Sequence, residues 1–119
     1  MTVTLDGASL TIDDVVRVSR GYEHVALGDD AREKVRQCRT VLEELIGSRI
    51  IYGINTGFGA LSNITISPND LETLQTNLIR SHAAGVGPAL QKDITRAMML
   101  LRANTLAKGL SGVRLSTLE

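Results

Sequence analysis

The stretch that most restricts the fold lies near the C-terminal end, at Ala97-Met98-Met99-Leu100-Leu101. It sits inside a segment that Pro88 opens and that is predicted to be helical to about Lys108, before Gly109 and Gly112. At its centre this helix is apolar on nearly every side, and such helices belong in the middle of a large protein. Leaving a Leu or Met side chain wet forfeits about 1.5–3 kcal/mol. The other predicted helices are too few and too short to surround this one, so the covering surface is expected from further chain or from other subunits. Ser116-Thr117-Leu118-Glu119 reads as the first turn of a helix that does not continue. The chain is therefore expected to be one partial domain, residues 1–119, of a larger protein.

The remaining segments support a mainly α reading. Val3 to Leu5 is a candidate strand. Thr11 caps a helix with Asp13 and Asp14 in its first turn, Ile12, Val15 and Val16 on one face and Gly21 as its stop. Asp30-Ala31-Arg32-Glu33 has the spacing of a capping box. It opens a second helix whose apolar stripe runs through Ala31, Val35, Cys38, Leu42 and Leu45 to a stop at Gly47. Ser67-Pro68 begins a third, with Leu71, Leu74, Leu78 and then His82 on its apolar face and Gly85 and Gly87 at its end. Tyr and Phe are scarce and Trp is absent, so the core must come from Leu, Ile, Val, Ala and Met.

Thirteen basic and thirteen acidic residues leave no net charge, and so no electrostatic reason to expect nucleic acid or an anionic membrane as partner. No apolar run approaches the roughly 18 residues of a membrane span. The N-terminus lacks the basic and apolar regions of a secretory signal. The lone Cys38 has no partner for an internal disulfide, which fits a cytoplasmic setting, and it reads as a small buried apolar residue.

Two segments stand out for chemistry. In Tyr52-Gly53-Ile54-Asn55-Thr56-Gly57-Phe58-Gly59 the glycine spacing is neither a P-loop nor a dinucleotide fingerprint. The long glycine-rich loop, residues 52–66, is either a mobile lid over a site or an ordinary turn with Tyr52 packed as core. In Gln75 to Gly87, His82 follows Ser81 near a helix end, and is either a satisfied core histidine or a working one. Asn77, Arg80 and Asn104 are either buried polar groups of a site or surface groups. No His, Cys and carboxylate cluster has metal-ligand spacing.

At these segments the chain resembles the aromatic amino acid lyases. Ile51 to Gly59 is similar to the family's tyrosine loop. Leu74-Gln75-Thr76-Asn77-Leu78 with Ser81-His82-Ala83-Ala84-Gly85-Val86-Gly87 is similar to its next signature, and Leu101-Arg102-Ala103-Asn104 with Lys108 to Arg114 to a third. The resemblance implies the N-terminal helical segment of a fumarase/aspartase-like helical-bundle fold. Ser-His at positions 81 and 82 is the pattern of the histidine ammonia-lyase branch, shared by some tyrosine aminomutases. The implied reaction is elimination of ammonia from L-histidine to give trans-urocanate, by a homotetramer whose sites combine residues of several subunits. The implied prosthetic group is 4-methylidene-imidazol-5-one (MIO), made from an Ala-Ser-Gly tripeptide, with no metal.

By the same resemblance Tyr52 is the general base that takes the β-proton, and His82 places the substrate or prosthetic group. Gly53, Asn55, Gly57, Gly59 and Ser81 are expected to bind substrate or form the lid. A free tyrosine titrates near ~10, so its phenolate costs roughly 4 kcal/mol at neutral pH, a cost that nearby positive charge must lower. No Lys or Arg lies between Tyr52 and Ser67. Ala-Ser-Gly is also absent from the chain, so the chain alone is expected to be inactive. Two alternatives stand beside elimination from histidine. One is another lyase or aminomutase reaction of the same family; the other is a helical module that binds a partner without catalysis.

Overall fold

The computed structural model describes all 119 residues. Thr11, extended at φ −100° and ψ 165°, starts helix α1 (Ile12–Ser19) with a complete capping box. Its hydroxyl accepts from the Asp14 amide at 3.2 Å, and the Asp14 carboxylate accepts from the Thr11 amide at 2.9 Å. This satisfies donors that a helix start otherwise leaves bare. The buried face differs from expectation. Val18 and Ser19 are buried and Val15 packs on the core, whereas Ile12 is 86% exposed and Val16 also faces water.

Strand β1 (Thr2–Leu5) alternates exposed and buried residues, sending Val3 and Leu5 inward. It pairs in parallel with β2 (His24–Leu27), from Thr2 opposite His24 to Leu5 opposite Leu27, and α1 makes the crossover. The β2 strand was not anticipated. Its residues carry no alternation, being exposed up to a half-buried Leu27, and a parallel partner leaves no local turn signal. Helix α2 (Asp29–Leu45) begins one residue before the predicted capping box, where the Gly28 carbonyl accepts from the Arg32 amide at 2.9 Å. Helix α3 spans Leu71–His82 and α4 spans Lys92–Leu106. Pro88 therefore does not open α4; Gln91 is its N-cap.

The chain forms two compact units. One comprises Met1–Leu42 and Ala89–Glu119, the other Glu43–Pro88. In the first, α1 packs on α4 over a core of Val3, Leu5, Val18, Ala31, Leu100 and Ala107, with Leu10, Val15, Leu27 and Ala103 against it. The Arg96 guanidinium donates twice to the Val18 carbonyl, at 2.9 and 3.2 Å, and lies 4.4 Å from the Tyr22 ring centroid. The Asn104 side chain accepts from the Gly7 amide at 3.0 Å, so Asn104 ties chain ends together within this unit. Gly109, at φ +70°, sits where a Cβ would lie 2.7 Å from Lys34. Only glycine permits both that conformation and that approach. The outer side of α4 stays uncovered: Ile94, Met98, Met99 and Leu101 are all about half exposed or more. No helix is long and apolar enough to cross a membrane.

The second unit holds the glycine-rich loop and α3. The Ser67 hydroxyl donates to the Asp70 carboxylate at 2.7 Å, and a 3-10 turn from Pro68 to Asp70 leads into the helix. Ser67 is the cap of that turn and makes no side-chain bond to a backbone amide there. Leu71, Leu74 and Leu78 are half-buried, and nothing on α3 is fully buried.

Candidate functional site

Residues 52–66 form a closed, hydrogen-bonded ring. The Gly57 amide donates to the Ile64 carbonyl at 3.0 Å and the Ile66 amide to the Asn55 carbonyl at 2.9 Å, on either side of an antiparallel bridge between Thr56 and Thr65. Asn55, 6% exposed, organises the entry to this ring. Its amide nitrogen donates to the carbonyls of Arg49 (2.7 Å) and Ile46 (3.2 Å), and its oxygen accepts from the Ile51 amide at 2.7 Å. Both of its donor hydrogens are consumed by the backbone, so Asn55 acts through the loop's shape. Thr56 is fully buried; its hydroxyl accepts from the Gly53 amide at 3.3 Å and donates to the Gly57 carbonyl at 2.9 Å.

The glycines serve distinct local needs. Gly53 (φ +74°) and Gly59 (φ +56°) take left-handed turns on either side of the buried segment. At Gly57 a Cβ would stand 2.7 Å from both the Cβ and the carbonyl oxygen of Leu61, so the turn Gly59–Leu61 folds back only over a bare backbone.

Tyr52 projects from this ring into solvent, 64% exposed, with no hydrogen-bond partner for its hydroxyl. Its ring meets Phe58 edge to face, centroids 6.1 Å apart and planes at 75°. That contact braces the ring without masking the phenol. Tyr52 is thus not a packed core residue.

Opposite the loop, α3 brings Ser81 and His82 to a shallow groove of about 350 Å³. Its walls are Gly57, Phe58, Leu61, Ile64 and Ile66 from the loop and Leu74, Asn77 and Leu78 from the helix. His82 extends the helix's half-buried stripe but is itself exposed. The Ser81 hydroxyl donates to the Leu78 carbonyl at 2.8 Å; His82 Nδ1 lies 2.9 Å from Ser81 Oγ and 3.0 Å from the Leu78 oxygen. No Asp, Glu, Lys or Arg lines the groove.

The structure therefore gathers Gly57, Ser81 and His82 on one groove, and seats Tyr52 beside Phe58, a groove wall. Gly53, Asn55 and Gly59 shape the loop and do not line the groove. Asn77 joins the groove, while Gln75 and Arg80 are exposed on α3. Sequence patterning gave no role to Thr56 or Phe58. A small polar residue and an aromatic on either side of Gly57 were the available signal. No three His, Cys, Asp or Glu side chains converge as metal ligands, and Cys38 is a half-buried free thiol.

Comparison with known proteins gives these features a context. The model of the aromatic amino acid lyase family matches residues 10–119. A histidine ammonia-lyase of Streptococcus pyogenes is 48% identical over 118 residues, which cover 98% of this chain and 23% of that protein. Among solved structures, the tyrosine aminomutase of Streptomyces globisporus superposes with a TM-score of 0.94 at 38% identity, over 99% of this chain and 23% of that one. The histidine ammonia-lyase of Trypanosoma cruzi does so with a TM-score of 0.88 at 41% identity, with the same coverage. The chain thus spans 23% of the length of the relatives it matches.

Proposed function

The chain belongs to the aromatic amino acid lyase family, and from that premise we propose that it forms part of a histidine ammonia-lyase, which eliminates ammonia from L-histidine to give trans-urocanate. The observation that carries the reading is identity of nearly one residue in two with a histidine ammonia-lyase along almost the whole chain. The Ser81-His82 pair, exposed on a groove beside the tyrosine loop, supports it.

In this reading Tyr52 takes the β-proton of the substrate. Its free hydroxyl and braced ring suit a group that must meet a ligand directly. The loop carries no cation, so the charge that favours the phenolate must come from polypeptide outside residues 52–66. Gly53, Gly57 and Gly59 let the backbone carry Tyr52 on a tight, hydrogen-bonded ring, and Asn55 holds the base of that ring. His82 and Ser81 position the ligand from the helix side.

The family's MIO group derives from Ala-Ser-Gly, a tripeptide this chain does not contain. The groove is compatible with such a neighbour: a neutral heterocycle set on its apolar walls meets no charged side chain of this chain. Ser81 and His82 would flank it. When bound, that group supplies the electrophile that activates the substrate for loss of ammonia. The same reading makes the whole protein a cytoplasmic homotetramer, and the bare apolar side of α4 offers surface for further polypeptide to cover.

Tyr52→Phe tests the base assignment in the whole protein carrying this chain. The substitution removes one exposed oxygen with no partner, so folding should be unchanged. Urocanate formation, followed by its ultraviolet absorbance, should fall by about 10²–10⁴-fold, the range for loss of a general base. Turnover at the parent rate would refute the role. An aminomutase reading is favoured by one observation, the close superposition on a tyrosine aminomutase. Product analysis separates the two: an α,β-unsaturated acid for elimination, a β-amino acid for mutation.

A further inference from the structure

The three atoms at the C-terminal end of α3 favour one arrangement of protons in a neutral imidazole. Leu78 O accepts from the Ser81 hydroxyl at 2.8 Å, and His82 Nδ1 approaches the same carbonyl to 3.0 Å and Ser81 Oγ to 2.9 Å. Were Nδ1 the unprotonated nitrogen, its lone pair would face the lone pairs of a carbonyl at hydrogen-bond distance, which is repulsive. With the proton on Nδ1, every short contact becomes attractive. Nδ1–H donates to Leu78 O and to a lone pair of Ser81 Oγ, while the hydroxyl proton goes to Leu78 O.

From this geometry we infer that the Leu78 carbonyl, with Ser81 Oγ as a second acceptor, fixes the tautomer of His82, so that the ring presents Nε2 to the groove as a hydrogen-bond acceptor. The ring is exposed and no group of the surrounding chain bonds Nε2, so the lone pair is available to a ligand. The group set against it must then carry an N–H or O–H. For a substrate with an imidazole and an ammonium group, both qualify; that last step rests on the proposed lyase reading, whereas the tautomer does not.

The tautomer is read directly from ¹⁵N shifts of the imidazole nitrogens in the histidine-labelled 119-residue chain, where His24 is the only other histidine and serves as reference. The expected result is a protonated Nδ1 and an unprotonated Nε2 for His82. Ser81→Ala, which leaves the Leu78 carbonyl as the acceptor for Nδ1–H, should keep the proton on Nδ1, and Ser81→Thr should do the same. A proton found mainly on Nε2, in the parent chain or in Ser81→Ala, overturns the inference. Neither result depends on turnover. A fixed Nδ1–H tautomer in a protein that does not act on histidine would sink the lyase reading and leave this one standing.

Discussion

Asn55 shows how a single side chain can hold a loop in shape through backbone groups alone. Removing its side chain leaves the carbonyls of Ile46 and Arg49 and the amide of Ile51 without their partners in a nearly buried position. Leaving such groups unsatisfied costs about 1–3 kcal/mol. Asn55→Ala should therefore loosen the ring, seen as faster hydrogen exchange at the Gly57 and Ile66 amides, while α3 keeps its helical circular dichroism. Unchanged exchange at both amides would show that the ring holds without Asn55. These contacts were not legible in advance. The sequence pointed to Asn55 by its place in a motif, as a lid or binding residue. Its three bonds run to backbone groups at positions no periodicity brings together. Tyr52 and His82 were easier to pick out, because a phenol among glycines and an imidazole at a helix end carry chemistry wherever they fall. Only their exposure excluded the reading of each as a packed core residue.

Among the elements, α1 was the most legible, because its start is written in four consecutive residues. Thr11 caps the helix as expected, and Asp14 answers it as the other half of a capping box. The same contacts set an acid sensitivity. The Thr11 hydroxyl, then the Thr11 amide and the Arg17 guanidinium, hold the Asp14 carboxyl below its ordinary value of 3.8. In the turn before α1, the Ser9 amide first, with the Ser9 hydroxyl and the Ala8 amide, holds Asp6 down to about 2. Both groups have a folded pKa below the unfolded one, so their contribution is complete above 3.8 and is lost as the pH falls toward 2. Thermal melts between those limits should show a falling Tm, and Asp14→Asn should flatten part of the slope. A Tm constant across this window would count against the cap as a source of stability. By contrast, β2 was invisible and the start of α4 misplaced. Four mostly exposed residues carry no pattern, and Pro88 marks a turn well before Lys92, where the helix begins.

At the scale of the molecule, the two units differ in how much each buries. The unit of Met1–Leu42 and Ala89–Glu119 has an apolar core of six buried side chains, whereas in Glu43–Pro88 the buried side chains are those of Asn55 and Thr56. Few buried apolar contacts mean low local stability. Amides of β1, α1 and α4 are expected to exchange more slowly than those of α3, and Leu100→Ala should cost about 2–5 kcal/mol in the first unit. Faster exchange in β1 than in α3 would contradict this ordering. The better-built unit is also the discontinuous one. Its ties join residues far apart in the chain, Gly7 to Asn104, Val18 to Arg96 and Arg39 to Gly112. During synthesis, then, β1 can meet β2, Val18 and Ala31 early, but the ribosome must deliver α4 before Leu100 and Ala107 complete that core. Until that moment the core of the first unit stays open on one side, while the local ring around Asn55 is free to close ahead of it.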